Sequence, residues 1–149
     1  MITHQSIAMR APAATVYAVA QDVASWPLFL AHYASVRVLS ESADERVAIM
    51  SARRDWIPVR WTAAQHLLPA IPRIEFTHIA GWAEGMRVAW IFDTIENGTR
   101  VIISHDLSTL RRPIVRTRVG RDFIARHFIA PIASRTLASM KAYVESCHG

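Results

Sequence analysis

Between about residues 34 and 108, apolar and polar positions alternate with a period of two, the spacing of strands with one buried face. Turn-forming residues interrupt the alternation at Ser42–Glu45, Ile57-Pro58, Pro69–Pro72, Gly81–Gly85 and Glu96–Gly98. They delimit six strands, at about 34–41, 45–55, 58–68, 73–80, 86–95 and 99–108, and Glu96-Asn97-Gly98 reads as a hairpin turn. Residues 2–9 (ITHQSIAM) predict one strand before these. Ala11-Pro12 then opens a helix, with Pro12 at the first helical position and Val16, Tyr17, Val19 and Ala20 on its apolar side. Ser25 is placed to cap a second, short helix reaching about Tyr33.

After a loop holding Arg111, Arg112 and Pro113, residues from about 118 to 146 read as helix. Ile124, Phe128 and Ile132 share one face. Beyond Pro131, Leu137, Met140 and Val144 fall at another rotational phase, which predicts a proline kink. One strand, two helices, six antiparallel strands and a long C-terminal helix make an α+β domain. A curved sheet wrapped around one helix leaves an internal space, and such spaces take ligands.

Strand parity sorts the residues facing that space. Within 58–68 the odd positions Val59, Trp61, Ala63, Gln65 and Leu67 form the inner face; within 86–95 the even positions Met86, Val88, Trp90 and Phe92 do; within 99–108 the odd positions Val101, Ile103, His105 and Leu107 do. His105 and Gln65 thereby stand among apolar neighbours. Two readings follow. Either these side chains hydrogen-bond within the core, or they face a cavity and meet a ligand, where His105 suits proton transfer near neutral pH. The stretch from Asp22 to Tyr33 concentrates Trp26, Phe29 and Tyr33, either as core or as cavity wall.

The 149 residues suffice for one domain, and an apolar share of 52% excludes a disordered chain. No apolar run approaches the ~20 residues of a membrane-spanning helix, and the N-terminal stretch lacks the apolar core of a signal peptide, so a cytoplasmic location is expected. The single cysteine, Cys147, supports neither a disulfide framework nor a thiolate metal site. The seven histidines show no metal-ligand spacing on one face, so neither a metal nor a cofactor is expected. The net charge is +5, and residues 108–141 carry eight basic residues against Asp122 alone. Sixteen of the seventeen basic residues are arginine, suited to carboxylate or phosphate.

Ala11-Pro12 with Val16, Asp22-Val23 with Trp26-Pro27 and Tyr33, Leu39, Trp61 with Gln65, Met86 with Trp90, Gly98-Thr99, and His105-Asp106-Leu107 occur in an order that resembles the helix-grip domains of the START/polyketide-cyclase (SRPBCC) superfamily. The likeness is greatest to the bacterial aromatic polyketide aromatase/cyclases of the tetracenomycin type. It implies one domain over 1–149, with a sheet of about seven strands curved around the C-terminal helix. It also implies a cavity that bends a poly-β-keto chain for aldol cyclisation and dehydration, without a cofactor. By the same resemblance Tyr33 and His105 match residues of catalytic role, and Trp26 matches a pocket tryptophan. Gln65 stands where the family has an arginine; it donates a hydrogen bond without a charge, so it would stabilise an oxyanion less. Arg53, of one parity with Val47 and Ile49, is the substitute that the neighbouring strand offers. Trp26, Phe29, Trp61, Ala63, Met86, Val88, Trp90 and Ile103 would form the ligand wall. Arg111, Arg112, Arg116 and Arg118 would dock an acyl carrier protein.

A non-catalytic binder of a lipid, quinone or other hydrophobic molecule is the alternative, and the uncharged Gln65 favours it. A nucleic-acid or membrane-surface role for the 111–126 arginines ranks last, because no aromatic residue is interleaved among them before Phe123.

Overall fold

In the computed structural model, which describes residues Met1–His148 (the side chains of 114, 115 and 148 apart), the chain forms one seven-stranded antiparallel sheet and a set of helices on its concave side. In chain order these are β1 (Ile2–Met9), α1 (Ala13–Gln21), a 3₁₀ turn (Val23–Ser25), α2 (Trp26–Phe29), β2 (Tyr33–Glu41), β3 (Glu45–Arg54), β4 (Ile57–Leu68), β5 (Arg73–Gly81), β6 (Arg87–Ile95), β7 (Gly98–Asp106), α3 (Pro113–Arg116), α4 (Arg118–Ile124), a π-helical segment (Ala125–Ile129) and α5 (Ala130–His148). The strand order is β1-β7-β6-β5-β4-β3-β2, a meander with β1 added beside the last strand. This is the helix-grip α+β fold.

Four details differ from the sequence reading. The second helix stops at Phe29: Leu30 turns extended, and Tyr33 opens β2, paired with Ala52. Ser25 does not cap it; its hydroxyl donates to Asp22 at 2.7 Å. Pro113 starts a helical turn of its own, α3, after which Thr117 caps α4 by accepting from the Gly120 amide at 3.0 Å. Finally, the phase change in the C-terminal helix is a π turn. Ile124 and Ala125 are both buried at its start, and Ile129, Ala133 and Leu137 continue the buried face in steps of four. The Ala130 amide reaches back five residues to the Ala125 carbonyl. Pro131 follows at once in the first turn of α5, and its missing N–H makes the ordinary ladder impossible there.

Two ties hold the strand ends. Thr99, fully buried, donates to the Ala11 carbonyl at 2.7 Å and so fixes the entry of α1 against β7. Beside it Gly98 lies against β1, where any Cβ would overlap the Met9 carbonyl oxygen. Gly98→Ala is therefore expected to cost more than about 2 kcal/mol in urea denaturation, against less than about 0.5 kcal/mol for the exposed neighbour Glu96→Ala.

Candidate functional site

Between the concave face of the sheet and the bent C-terminal helix lies a cavity of about 80 Å³. At about 10–15 Å³ per water on this measure, roughly half a dozen waters or one ring-sized molecule fit. Trp26 comes from α2, Tyr33 from β2, Met50 from β3 and Val59 and Trp61 from β4. Phe76 and His78 come from β5, Trp82 and Met86 from the β5–β6 connection, Val88 and Trp90 from β6, and Ile103 and His105 from β7. Phe128, Ile129, Ile132, Ala133 and Thr136 close it from the helix. None of these lining residues is Asp, Glu, Lys or Arg.

Aromatic edges build the wall. The Trp26 ring meets Tyr33 at 5.2 Å and Trp90 at 5.5 Å between centroids, and its indole N–H donates to the Ala20 carbonyl at 3.1 Å. Trp61 stacks on His78 at 5.7 Å with 13° between the planes. The π turn turns Phe128 and Ile129 toward the same space.

Polar groups in this wall divide into two sets. One is bonded within the protein, His32 Nδ1 apart. Thr136 donates to the Ile132 carbonyl at 2.8 Å, so the bond between Thr136 Oγ1 and His32 Nε2, also 2.8 Å, has the histidine as donor. Tyr33 is bonded to the same threonine hydroxyl, and burial raises its pKa well above the usual phenol value, with that bond opposing. The other set makes no hydrogen bond to the protein: His78 Nδ1, Trp82 Nε1 and His105 Nδ1 are buried without a partner. Such a group costs about 1–3 kcal/mol. Burial lowers the His105 pKa to about 3, with the nearby His78 a smaller contributor, and lowers that of His78 to about 4. His32 falls to about 4, by burial and then by the charge of Arg135. All three imidazoles are neutral at pH 7.

A larger hollow of about 400 Å³ lies on the outer face of β5–β7. Among its charged groups Arg73 donates to Glu75 at 2.8 Å and Asp106 accepts from Ser108 at 2.6 Å, and Arg87 completes the charged lining. The inner cavity, with three unpartnered polar atoms, is the candidate site.

Of the residues singled out in the sequence, Trp26, Tyr33, Trp61, Met86, Val88, Trp90, Ile103 and His105 meet at this cavity. Four do not. Gln65 is buried on the inner face of β4, as parity required, but beyond Trp61 and under α1. It donates to the Gln21 carbonyl at 3.1 Å and accepts from Arg46 at 3.2 Å. Arg46 also donates to the Gln21 carbonyl at 2.6 Å, which sets a cation at the C-terminal end of α1. Gln65 thus anchors a helix end. Ala63, 2% exposed, is core, its methyl too short to reach the cavity. Phe29 stacks on Tyr143 of α5, centroids 4.3 Å apart, and faces away from the space. Arg53 is exposed, because the inner face of β3 is the even one, Ala48, Met50 and Ala52. Its neighbour Arg54 has the inward parity and lies over the Phe128 ring at 5.4 Å, at the rim. Arg111, Arg112, Arg116 and Arg118 are exposed, and Arg112 donates to the Gly81 carbonyl at 3.0 Å.

His78 and Trp82 are residues the sequence reading missed. His78 was legible: it is in phase with Ile74 and Phe76, the buried positions of β5. Trp82 lies in an irregular connection, where periodicity carries no signal.

The curled sheet, the gripping helix and the aromatic cavity between them define a helix-grip protein. Residues 9–127 match the family described as polyketide cyclase / dehydrase and lipid transport, and the chain belongs to that family. Among solved structures it is similar to a protein from Thermus thermophilus (19% identity, TM-score 0.85, 100% of each chain covered). It is also similar to the Zhui aromatase/cyclase from a Streptomyces species (18%, 0.83, 97% of this chain and 93% of that one). A STAR-related lipid transfer protein fragment from Xanthomonas axonopodis is more distant (11%, 0.65, 97% and 85%). Comparison with curated proteins returned no match.

The buried histidines give the cavity a pH signature. In the unfolded chain each imidazole takes a proton near its ordinary value, about 6.5; in the folded chain it resists until about 3–4. Between those values the unfolded state binds more protons, so stability is full above about pH 6.5 and falls as pH drops. Each group contributes about 1.4 kcal/mol per pH unit in that window. Urea denaturation at pH 7, 6 and 5 is expected to show the decline, with a shallower slope in His78→Asn.

Proposed function

We propose that this chain binds a neutral, ring-sized apolar molecule bearing carbonyl or hydroxyl groups in the inner cavity and promotes its dehydration, the second half of cyclase/aromatase chemistry. The observation carrying this reading is that His78, Trp82 and His105 line a mostly apolar cavity while His78 Nδ1, Trp82 Nε1 and His105 Nδ1 have no hydrogen-bond partner in the protein. A charged ligand would find no counter-ion there, whereas a carbonyl or hydroxyl oxygen matches these groups. The small volume favours a free molecule over a long carrier-tethered chain.

In this mechanism a neutral imidazole, His105, takes the proton from the carbon between two carbonyls. The electron pair forms the new double bond as the β-hydroxyl departs, and the imidazolium returns its proton to complete a water molecule. The Trp82 N–H is the donor for the carbonyl oxygen on which negative charge builds, and the Tyr33 hydroxyl, kept protonated by burial, turns from Thr136 to that oxygen when the ligand is bound. His105 is a weak base in these surroundings, so an α-proton acidified by two carbonyls is the kind it can remove. Desolvation of the cavity strengthens each hydrogen bond made inside it.

A second reading, non-catalytic binding of a quinone, lipid or aromatic metabolite, is favoured by the absence of a charged group from the lining and by the placement of Gln65 outside it. One experiment separates the two: incubation with a cyclic β-hydroxy diketone, with water loss followed by mass spectrometry and binding by tryptophan fluorescence. His105→Ala is expected to lower turnover about 10²-fold or more while affinity changes only a few-fold. Tyr33→Phe should slow turnover less. Tight binding without turnover in the unmodified protein would decide for the second reading.

A further inference from the structure

Three large apolar side chains stand in solvent around the rim of the cavity: Trp56 is 83% exposed, Val119 81% and Phe123 55%. Contacts place them at one end of the molecule. Trp56 is at the tip of the β3–β4 hairpin, two residues after Arg54, whose guanidinium lies 5.4 Å over the Phe128 ring. Phe128 lines the cavity, meets Trp82 at 5.8 Å, and is 6.3 Å from the ring of Phe123. Val119 precedes Phe123 by one turn on the same face of α4. Single exposed apolar residues are ordinary, but a group of three beside a cavity marks an interaction surface.

The charge around this group is mostly positive, and Asp55, which precedes Trp56, is paired with Arg54 at 3.3 Å. Six arginines fall between residues 111 and 126, against Asp122 alone. Arg111, Arg116, Arg118 and Arg126 are exposed, and of these Arg126 is paired with Asp122 at 3.1 Å.

We propose that this rim seats on an anionic lipid surface. Trp56 and Phe123 enter the headgroup region, where amphipathic aromatic rings are stable, and the arginines meet lipid phosphates. Arginines and an exposed indole at one end of the molecule match the phosphates and the interfacial layer that an anionic bilayer presents together, and the test below distinguishes it from an acidic protein. Seated this way, the Phe128 and Trp82 side of the cavity faces the apolar phase, and a hydrophobic ligand passes between the two without crossing water.

The test is sedimentation with vesicles of phosphatidylcholine alone and of phosphatidylcholine with about 30% phosphatidylglycerol, in about 0.1 M NaCl. Vesicle binding is read without a cavity ligand, so its outcome is independent of the function proposed above. Binding should be at least about tenfold stronger on the anionic vesicles and fall steeply toward about 0.5 M salt. Arg118→Gln should weaken it about fivefold, and Trp56→Ser and Phe123→Ser about tenfold each, with unchanged melting temperatures because all three side chains are exposed. Equal binding to both vesicle types, or binding to neither, overturns the proposal. So does binding that Arg118→Gln weakens while Trp56→Ser and Phe123→Ser leave it untouched, the mark of a purely electrostatic contact such as one with an acidic protein.

Discussion

The Trp26 indole is the point on which the rest of this structure depends. Its N–H closes the end of α1 at Ala20, and its ring carries Tyr33 of β2, Phe76 of β5 and Trp90 of β6 at centroid distances of 5.2, 6.1 and 5.5 Å. The edge strand β2 is thereby held at one depth with β5 and β6, which it does not pair with. A sheet that curls around a helix encloses more room than aliphatic side chains fill, and rigid rings that touch at their edges prop that room open without collapsing into it. Core and cavity wall are here the same residues.

The C-terminal helix answers the same constraint from the other side. With regular α-helical spacing, the face that buries Leu137, Met140 and Val144 against the sheet would continue to the wrong positions near residue 128. The π turn at Ala125–Ile129 inserts one residue, and Phe128, Ile129 and Ile132 then meet the cavity while Ile124 remains core. Pro131 is the chemical reason the turn lies where it does, since the ladder is already broken by its missing N–H.

Periodicity made the fold legible: alternation and turn residues marked all seven strands, and parity alone turned Trp61, Val88, Trp90, Ile103 and His105 to the inner face. It misjudged the residues whose fate lies in the third dimension. Gln65 is on the predicted face but at the far end of a twisted strand, where α1 and Arg46 claim its amide. Arg53 was read one residue out of phase, because Val47 and Ile49 are apolar on the outer side of β3. Tyr33 belonged to a strand because pairing with Ala52 outweighed local helical spacing. Such competition between local pattern and tertiary partner is invisible to a reading along the chain.

Charge in this molecule is sorted by depth. The cavity lining holds no ionised side chain, its imidazoles are neutral by burial, and every arginine near it stands at the rim or outside, Arg54 on Phe128 being the innermost. Burying an unpaired charge in so small an apolar space would be far more costly than burying an unpaired imidazole. In the function proposed above the interior takes neutral molecules with a few oxygen atoms, and in the proposed membrane contact the rim meets anionic lipid. These two preferences do not compete, because the guanidinium groups never enter the space that a ligand would fill. The uncharged chemistry of this site thus follows from the packing of α1 on β4 as much as from the identity of any single cavity residue.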